Sequence, residues 1–193
     1  VEEGEPYKIG KVSFSGPERF KPEELVQLIP LKTGETYSSD TERASMDLID
    51  HKYSRLGYAD FGIRPMLSPN YKTHTVDVNF DVKEGPLYRI NHIFISGNRY
   101  TKDYVIRREL PIIPGDPVDK NMVKLSRDRL MGMGYFNSVD AVSIRSENGP
   151  ADTKDIDIRV DEKRFIDARI GATWSDSDSL SGMLEITHKN MDI

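Results

Sequence analysis

Histidine is the residue type here best suited to holding a metal, but the spacing argues against it. His51, His74, His92 and His188 stand far apart, and no pair has the His-x-His or His-x-x-x-His separation that aims two imidazoles at one ion. They read as exposed or helix-face histidines. Ser175-Asp176-Ser177-Asp178-Ser179 has the alternating oxygen donors of an opening calcium loop. It lacks the glycine wanted at position six, and Thr187 stands where a bidentate glutamate is needed, so a hairpin turn is the better reading. Gly132-Met133-Gly134 closes a helical pattern instead of opening one after a strand, which suits a helix end and not a phosphate loop. Met122, Met131 and Met133 offer a soft face that core packing explains. The acidic pairs Glu23-Glu24 and Asp161-Glu162 read as solvated ends, not acid–base partners. None of these residues points to catalysis, a cofactor, a metal or a small-molecule substrate.

The bulk properties fit a binding module. The 193 residues carry 37% hydrophobic and 31% charged side chains and a net charge of −5. With 32 acidic residues against 27 basic ones and no basic stripe, nucleic acid is not an expected partner. No apolar run approaches the roughly 18 residues of a membrane helix. The opening Val1-Glu2-Glu3-Gly4 has no apolar leader, and the lack of cysteine leaves the compartment open.

The strongest signal is an internal repeat. Glu3-Gly4, Tyr7, Ile9, Val12, Phe14 and Ser15-Gly16 return 81 residues later as Glu84-Gly85, Tyr88, Ile90, Ile93, Ile95 and Ser96-Gly97. The offset persists at Pro30/Pro111 and Gly34/Gly115, then becomes 77 at Gly57-Tyr58/Gly134-Tyr135 and 78 at Glu84/Glu162. Glu162 runs into Lys163-Arg164-Phe165 without a new Glu-Gly. The expected division is therefore residues 1–83 as a penultimate copy, 84–163 as the last, and 164–193 as something different.

Each copy predicts strand, two helices and two strands. The first strands, Tyr7–Phe14 and Tyr88–Ile95, slip by one residue in apolar phase between Ile9 and Val12 and between Ile90 and Ile93, as a bulge would cause. In copy one, Pro22 opens a helix that Pro30 stops; a capping box from Ser39 to Glu42 opens a second, with Met46, Ile49, Tyr53 and Leu56 inward and Gly57 as left-handed cap. In copy two, Thr101 and Asp119 are the expected caps, Pro111 ends the first helix, Val123, Leu130 and Met133 line the second, and Gly134 ends it. The closing strands are Ala59–Met66 and Val76–Val82, then Ser138–Ser146 and Ile156–Val160 around Glu147-Asn148-Gly149-Pro150. The fold class is α+β: two tandem β-α-α-β-β domains, each a three-stranded mixed sheet covered by two helices, followed by a short β-hairpin.

These features together resemble the POTRA repeat of the BamA family of outer-membrane β-barrel insertases: Glu-Gly-x-x-Tyr-x-Ile, Ser-Gly after the first strand, Pro-x-x-x-Gly between the helices, and Gly-Tyr before the second strand. Residues 167–174 and 180–187 alternate apolar and polar, as the first two strands of a membrane barrel would. With the sequence ending at Ile193, the hairpin is expected to fray or to pair with another chain.

The resemblance implies a module at the periplasmic face of the bacterial outer membrane, with unfolded outer-membrane proteins and accessory assembly subunits as partners and the outer membrane reached through a barrel. It also implies that the second strand of each sheet lies at an edge, where an extended client can add a strand. In copy one Gly62 and Pro65 blunt that edge. In copy two Val139, Ala141, Val142, Ser143 and Ile144 contain no proline and form the expected acceptor, their side chains packing the core and their backbone receiving the client. Proline at Val142 or Ser143 is expected to weaken capture with little loss of fold. The alternatives are a structural scaffold, in which charge reversal at Arg107 or Glu109 would break partner contacts, and the same repeat in a two-partner secretion transporter or a cell-division protein.

Overall fold

The computed structural model describes residues 6–147, 149–163, 166–173 and 181–188. Copy one contains β1 (Lys8–Ser15), α1 (Pro22–Leu28), α2 (Ser39–Ser54), β2 (Gly62–Asn70) and β3 (Thr75–Lys83). Copy two repeats the order with β4 (Arg89–Ser96), α3 (Asp103–Arg107), α4 (Lys120–Gly132), β5 (Phe136–Arg145) and β6 (Thr153–Glu162). The sheets run β1-β3-β2 and β4-β6-β5, with the central strand parallel to the first and antiparallel to the second. No described helix is long and apolar enough to cross a membrane.

The two-residue period of β3 and β6 builds the cores. Val76, Val78, Phe80 and Val82 are buried, as are Ile156, Ile158 and Val160, and the helices cover that face. In copy one Tyr53 is the hub, stacked on Phe61 at 4.3 Å and edge-on to Phe20 at 5.1 Å and Tyr58 at 5.4 Å. Copy two fills the same space with Leu130, Phe136 and Ile106, all fully buried. Both first strands carry the predicted irregularity, between Ile9 and Val12 and between Ile90 and Ile93. An aspartate from the central strand holds each bulge: the N–H of Lys11 donates to Asp77 at 2.6 Å, and that of His92 to Asp155 at 3.0 Å.

Several local expectations need correction. Ser38, not Ser39, caps α2, its hydroxyl accepting from the N–H of Asp40, because Ser38 is extended and Ser39 is already helical. Glu42 instead accepts from the Tyr37 hydroxyl at 2.7 Å. Leu56 is 39% exposed and lies off the inner face. Lys102, not Thr101, precedes α3 and makes no side-chain cap. β2 starts at Gly62, since Gly57 at φ 101° turns the chain and Ala59 packs on the core of copy two.

The turn after α2 joins the two copies. The N–H of Tyr88 donates to the Gly57 carbonyl at 2.8 Å, and the N–H of Lys120, at the start of α4, donates to the Ser54 hydroxyl at 2.9 Å. The Lys120 ammonium binds Asp50 at 2.6 Å, and that of Lys154 binds Asp60 while lying 4.5 Å from the Tyr88 ring centre. The Lys154 contact holds the Asp60 carboxyl below its ordinary value.

A β-hairpin follows, as expected: β7 (Ile166–Thr173) pairs antiparallel with β8 (Ser181–His188) over eight residues each. The register sets Ile170 opposite Leu184 and Arg169 opposite Glu185, which keeps apolar with apolar and charged with charged. Ser175–Ser179, Trp174 and Leu180 lie outside the described residues.

Candidate functional site: the free edge of copy two

A three-stranded sheet has two edges, and in each copy the Pro-x-x-x-Gly loop covers one. In copy one the N–H of Ile9 donates to the Glu35 carbonyl and that of Gly34 to the Ile9 carbonyl, both at 2.7 Å. In copy two the N–H of Ile90 donates to Asp116 at 2.8 Å and that of Gly115 to Ile90 at 2.7 Å. Arg107 adds a bond from its guanidinium to the Ile93 carbonyl at 3.2 Å. β1 and β4 are thus partly paired on their outer sides. β2 and β5 are not: among the described residues no strand pairs on their far side.

The orientation of each free backbone group follows from register. Pro65 pairs with Phe80 and Pro69 with Val76. A proline cannot donate to the ladder, so both must turn their nitrogens away from β3, and the outward groups of β2 belong to Ile63, Pro65, Leu67 and Pro69. Half of the outward donors of this edge are therefore missing. Phe80 sits opposite Phe14 and Ile158 opposite Ile95, so Ala141, which pairs with Ile158, is the structural counterpart of Pro65. The outward groups of β5 then belong to Val139, Ala141, Ser143 and Arg145, all of which keep their N–H.

This geometry sorts the five predicted residues. Val139 is 4% exposed and Ala141 packs partly on the core, but Val142 at 49% and Ile144 at 41% lie on the uncovered face, opposite Asp157 and Asp155. The expectation that all of these side chains pack the core is wrong for Val142 and Ile144, because the strand alternates and the helices cover one face only. The two proposed prolines also differ. Ser143 turns its N–H outward, whereas Val142 turns it to β6, so proline at Val142 would break the sheet itself.

Two glutamates that sequence reading placed at mere junctions fix the loop after the first strand. Glu84 accepts the N–H groups of Glu18 and Arg19, each at 2.8 Å, and the Tyr53 hydroxyl at 2.7 Å. Glu162, expected as a solvated end, accepts from the N–H of Tyr100 at 2.9 Å and of Thr101 at 2.7 Å. Burial opposes the charge of Glu84, but the donors of Arg19, Tyr53 and Glu18 outweigh it and hold the carboxyl below its ordinary value. Glu162 is held down in the same sense by Thr101 and Tyr100 against burial. A carboxyl depressed in the folded state adds stability that is complete above its unfolded value, about 4.3, and is lost as pH falls through the folded value. Glu84→Gln is therefore expected to lower the urea midpoint at about pH 7, and the difference from wild type should shrink as pH falls below about 4.3.

Among the described residues no three His, Cys, Asp or Glu side chains are grouped to hold a metal. Of the methionines, Met122 and Met133 pack against the core of copy two and Met131 is 39% exposed.

The chain matches the family model POTRA, described as a surface antigen variable number repeat, over residues 7–85 and again over 88–163. It is 30% identical to an outer membrane protein assembly factor BamA of Neisseria meningitidis, over 99% of this chain and 24% of that protein. It is 28% identical to a BamA of Nitratidesulfovibrio vulgaris, over 84% of this chain and 21% of that protein. The chain thus spans about a quarter of the length of these relatives. In fold it is similar to a Haemophilus ducreyi BamA lacking POTRA domains 1–3, with TM-score 0.74 and 24% identity over 94% of this chain and 34% of that one. It is also similar to POTRA3-5 of Haemophilus influenzae BamA, with TM-score 0.71 and 20% identity over 81% of this chain and 61% of that one.

Proposed function

This chain belongs to the POTRA repeat family, and from that premise we propose that it is a binding module of an outer-membrane β-barrel assembly factor whose second repeat receives extended segments of other polypeptides along β5. One observation carries the reading: β5 is the free edge whose outward N–H groups are all intact. Main-chain pairing gives affinity with little demand on sequence, which suits a factor that handles many unfolded outer-membrane proteins. The relatives, named as outer membrane protein assembly factors, support placing the module at the periplasmic face of the outer membrane beside accessory assembly subunits. The alternation and register of β7 and β8 support reading residues 164–193 as the first barrel strands, with 1–83 and 84–163 as the penultimate and last repeats. In this reading the module binds its clients and catalyses no reaction.

The experiment compares Ser143→Pro with Glu109→Lys for binding of unfolded outer-membrane protein. Ser143→Pro should weaken capture and Glu109→Lys should not. The reverse pattern would identify a scaffold that works through its helices. Glu109, in the turn that ends α3, is the better probe of the helical side, because among the described residues its carboxylate contacts only its neighbour Arg108, whereas Arg107 holds Asp103 and the Ile93 carbonyl.

A further inference from the structure

Resting on strand addition at β5, we infer that this edge also selects its client by side chain, preferring an extended segment with two apolar residues and one basic residue on the same face. Asp140, Val142 and Ile144 turn their N–H groups to β6 and their side chains to the uncovered face. Opposite an added antiparallel strand they fall at non-hydrogen-bonded pairs, where Cα atoms approach to about 4.5 Å and side chains meet most closely. The three positions that matter for selection are therefore the three that do not supply the backbone bonds.

Their chemistry is specific. Val142 and Ile144 are half exposed, and Phe94 of β4, 51% exposed, lies across Asp157 from Val142, which extends the apolar surface inward over the sheet. Asp140 is exposed and sits opposite Arg159, but Arg159 is bound to Asp157 at 2.7 Å. No ion pair or hydrogen bond engages the Asp140 carboxylate among the described residues. A client cation on that face would find an unpaired acid beside two apolar neighbours. Reading from the N-terminus, the matching segment is apolar-x-apolar-x-basic, set opposite Ile144, Val142 and Asp140 in turn. Copy one lacks the pattern: the counterparts by register are Arg64, Met66 and Ser68, so the charge is reversed where the edge is also blocked by proline.

The test titrates the two-repeat chain with three peptides of about ten residues. One carries Val-Thr-Val-Thr-Lys at its centre, one replaces the lysine by glutamate, and one has the residues of the first with the valines adjacent. The first should bind about fivefold more tightly than either of the others, the scale expected of a few cross-strand pairs. Asp140→Lys should reverse the lysine–glutamate preference. Val142→Thr with Ile144→Thr should make the first and third peptides equal. Unchanged preferences in these variants, while Ser143→Pro still removes all binding, would overturn the side-chain selection alone. Binding of all three peptides unaffected by Ser143→Pro would overturn strand addition itself.

Discussion

Replacing Ala141 by proline is expected to weaken capture of an extended polypeptide by about tenfold or more while costing the fold about 1 kcal/mol or less. Ala141 is where copy one already carries Pro65, in the same register against the central strand. That precedent indicates that the backbone there tolerates a proline and that no bond to β6 depends on the Ala141 N–H. What proline removes is one outward donor in the middle of the edge, and its ring stands where the client backbone must approach. The reciprocal change gives the argument a second arm. Pro65→Ala with Pro69→Ala restores the row of donors on β2, and the double variant should gain a weak second binding event. Both are read by peptide titration alongside urea unfolding.

The second large effect is expected at the junction. Gly57 has φ 101°, and a Cβ added there would lie 2.7 Å from the Tyr88 carbonyl oxygen and 3.2 Å from Pro117 Cβ, both in copy two. Gly134 is its counterpart, at φ 76°, but a Cβ there meets nothing within 4 Å. Alanine at either position carries the left-handed penalty of roughly 1–2 kcal/mol. Only at Gly57 must the two repeats also move apart, which strains the Tyr88–Gly57 bond and the Lys120 contacts with Ser54 and Asp50. Gly57→Ala should therefore destabilise more than Gly134→Ala and broaden the distribution of distances between spin labels placed one on each repeat. Equal costs and equal distributions in the two variants would mean that the junction is not held at this turn.

Much of the fold was legible in the sequence because it is written twice. Duplicated apolar patterns located the bulges at Ile9/Val12 and Ile90/Ile93, and the left-handed glycines Gly57 and Gly134 marked where the second helices end. The caps were harder, since Ser38 and Ser39 are chemically equal and only the backbone angle decides between them. Glu84 and Glu162 were visible as repeated residues but not as clasps, because their backbone donors lie more than sixty residues away in the chain. The strand proposed as acceptor was chosen from its lack of proline. Its division into backbone positions and side-chain positions was not, because that depends on which residue of β6 stands opposite, and the bulge between Phe136 and Ser138 resets the count.

The central claim, that β5 accepts a client strand, is tested most directly by amide hydrogen exchange of the two-repeat chain with and without a saturating extended peptide. The account predicts slowed exchange at Val139, Ala141, Ser143 and Arg145, whose N–H groups face outward, and little change at Asp140, Val142 and Ile144, which already bond to β6. Protection confined to the helices or to β2, with none at those four alternating positions, would contradict it.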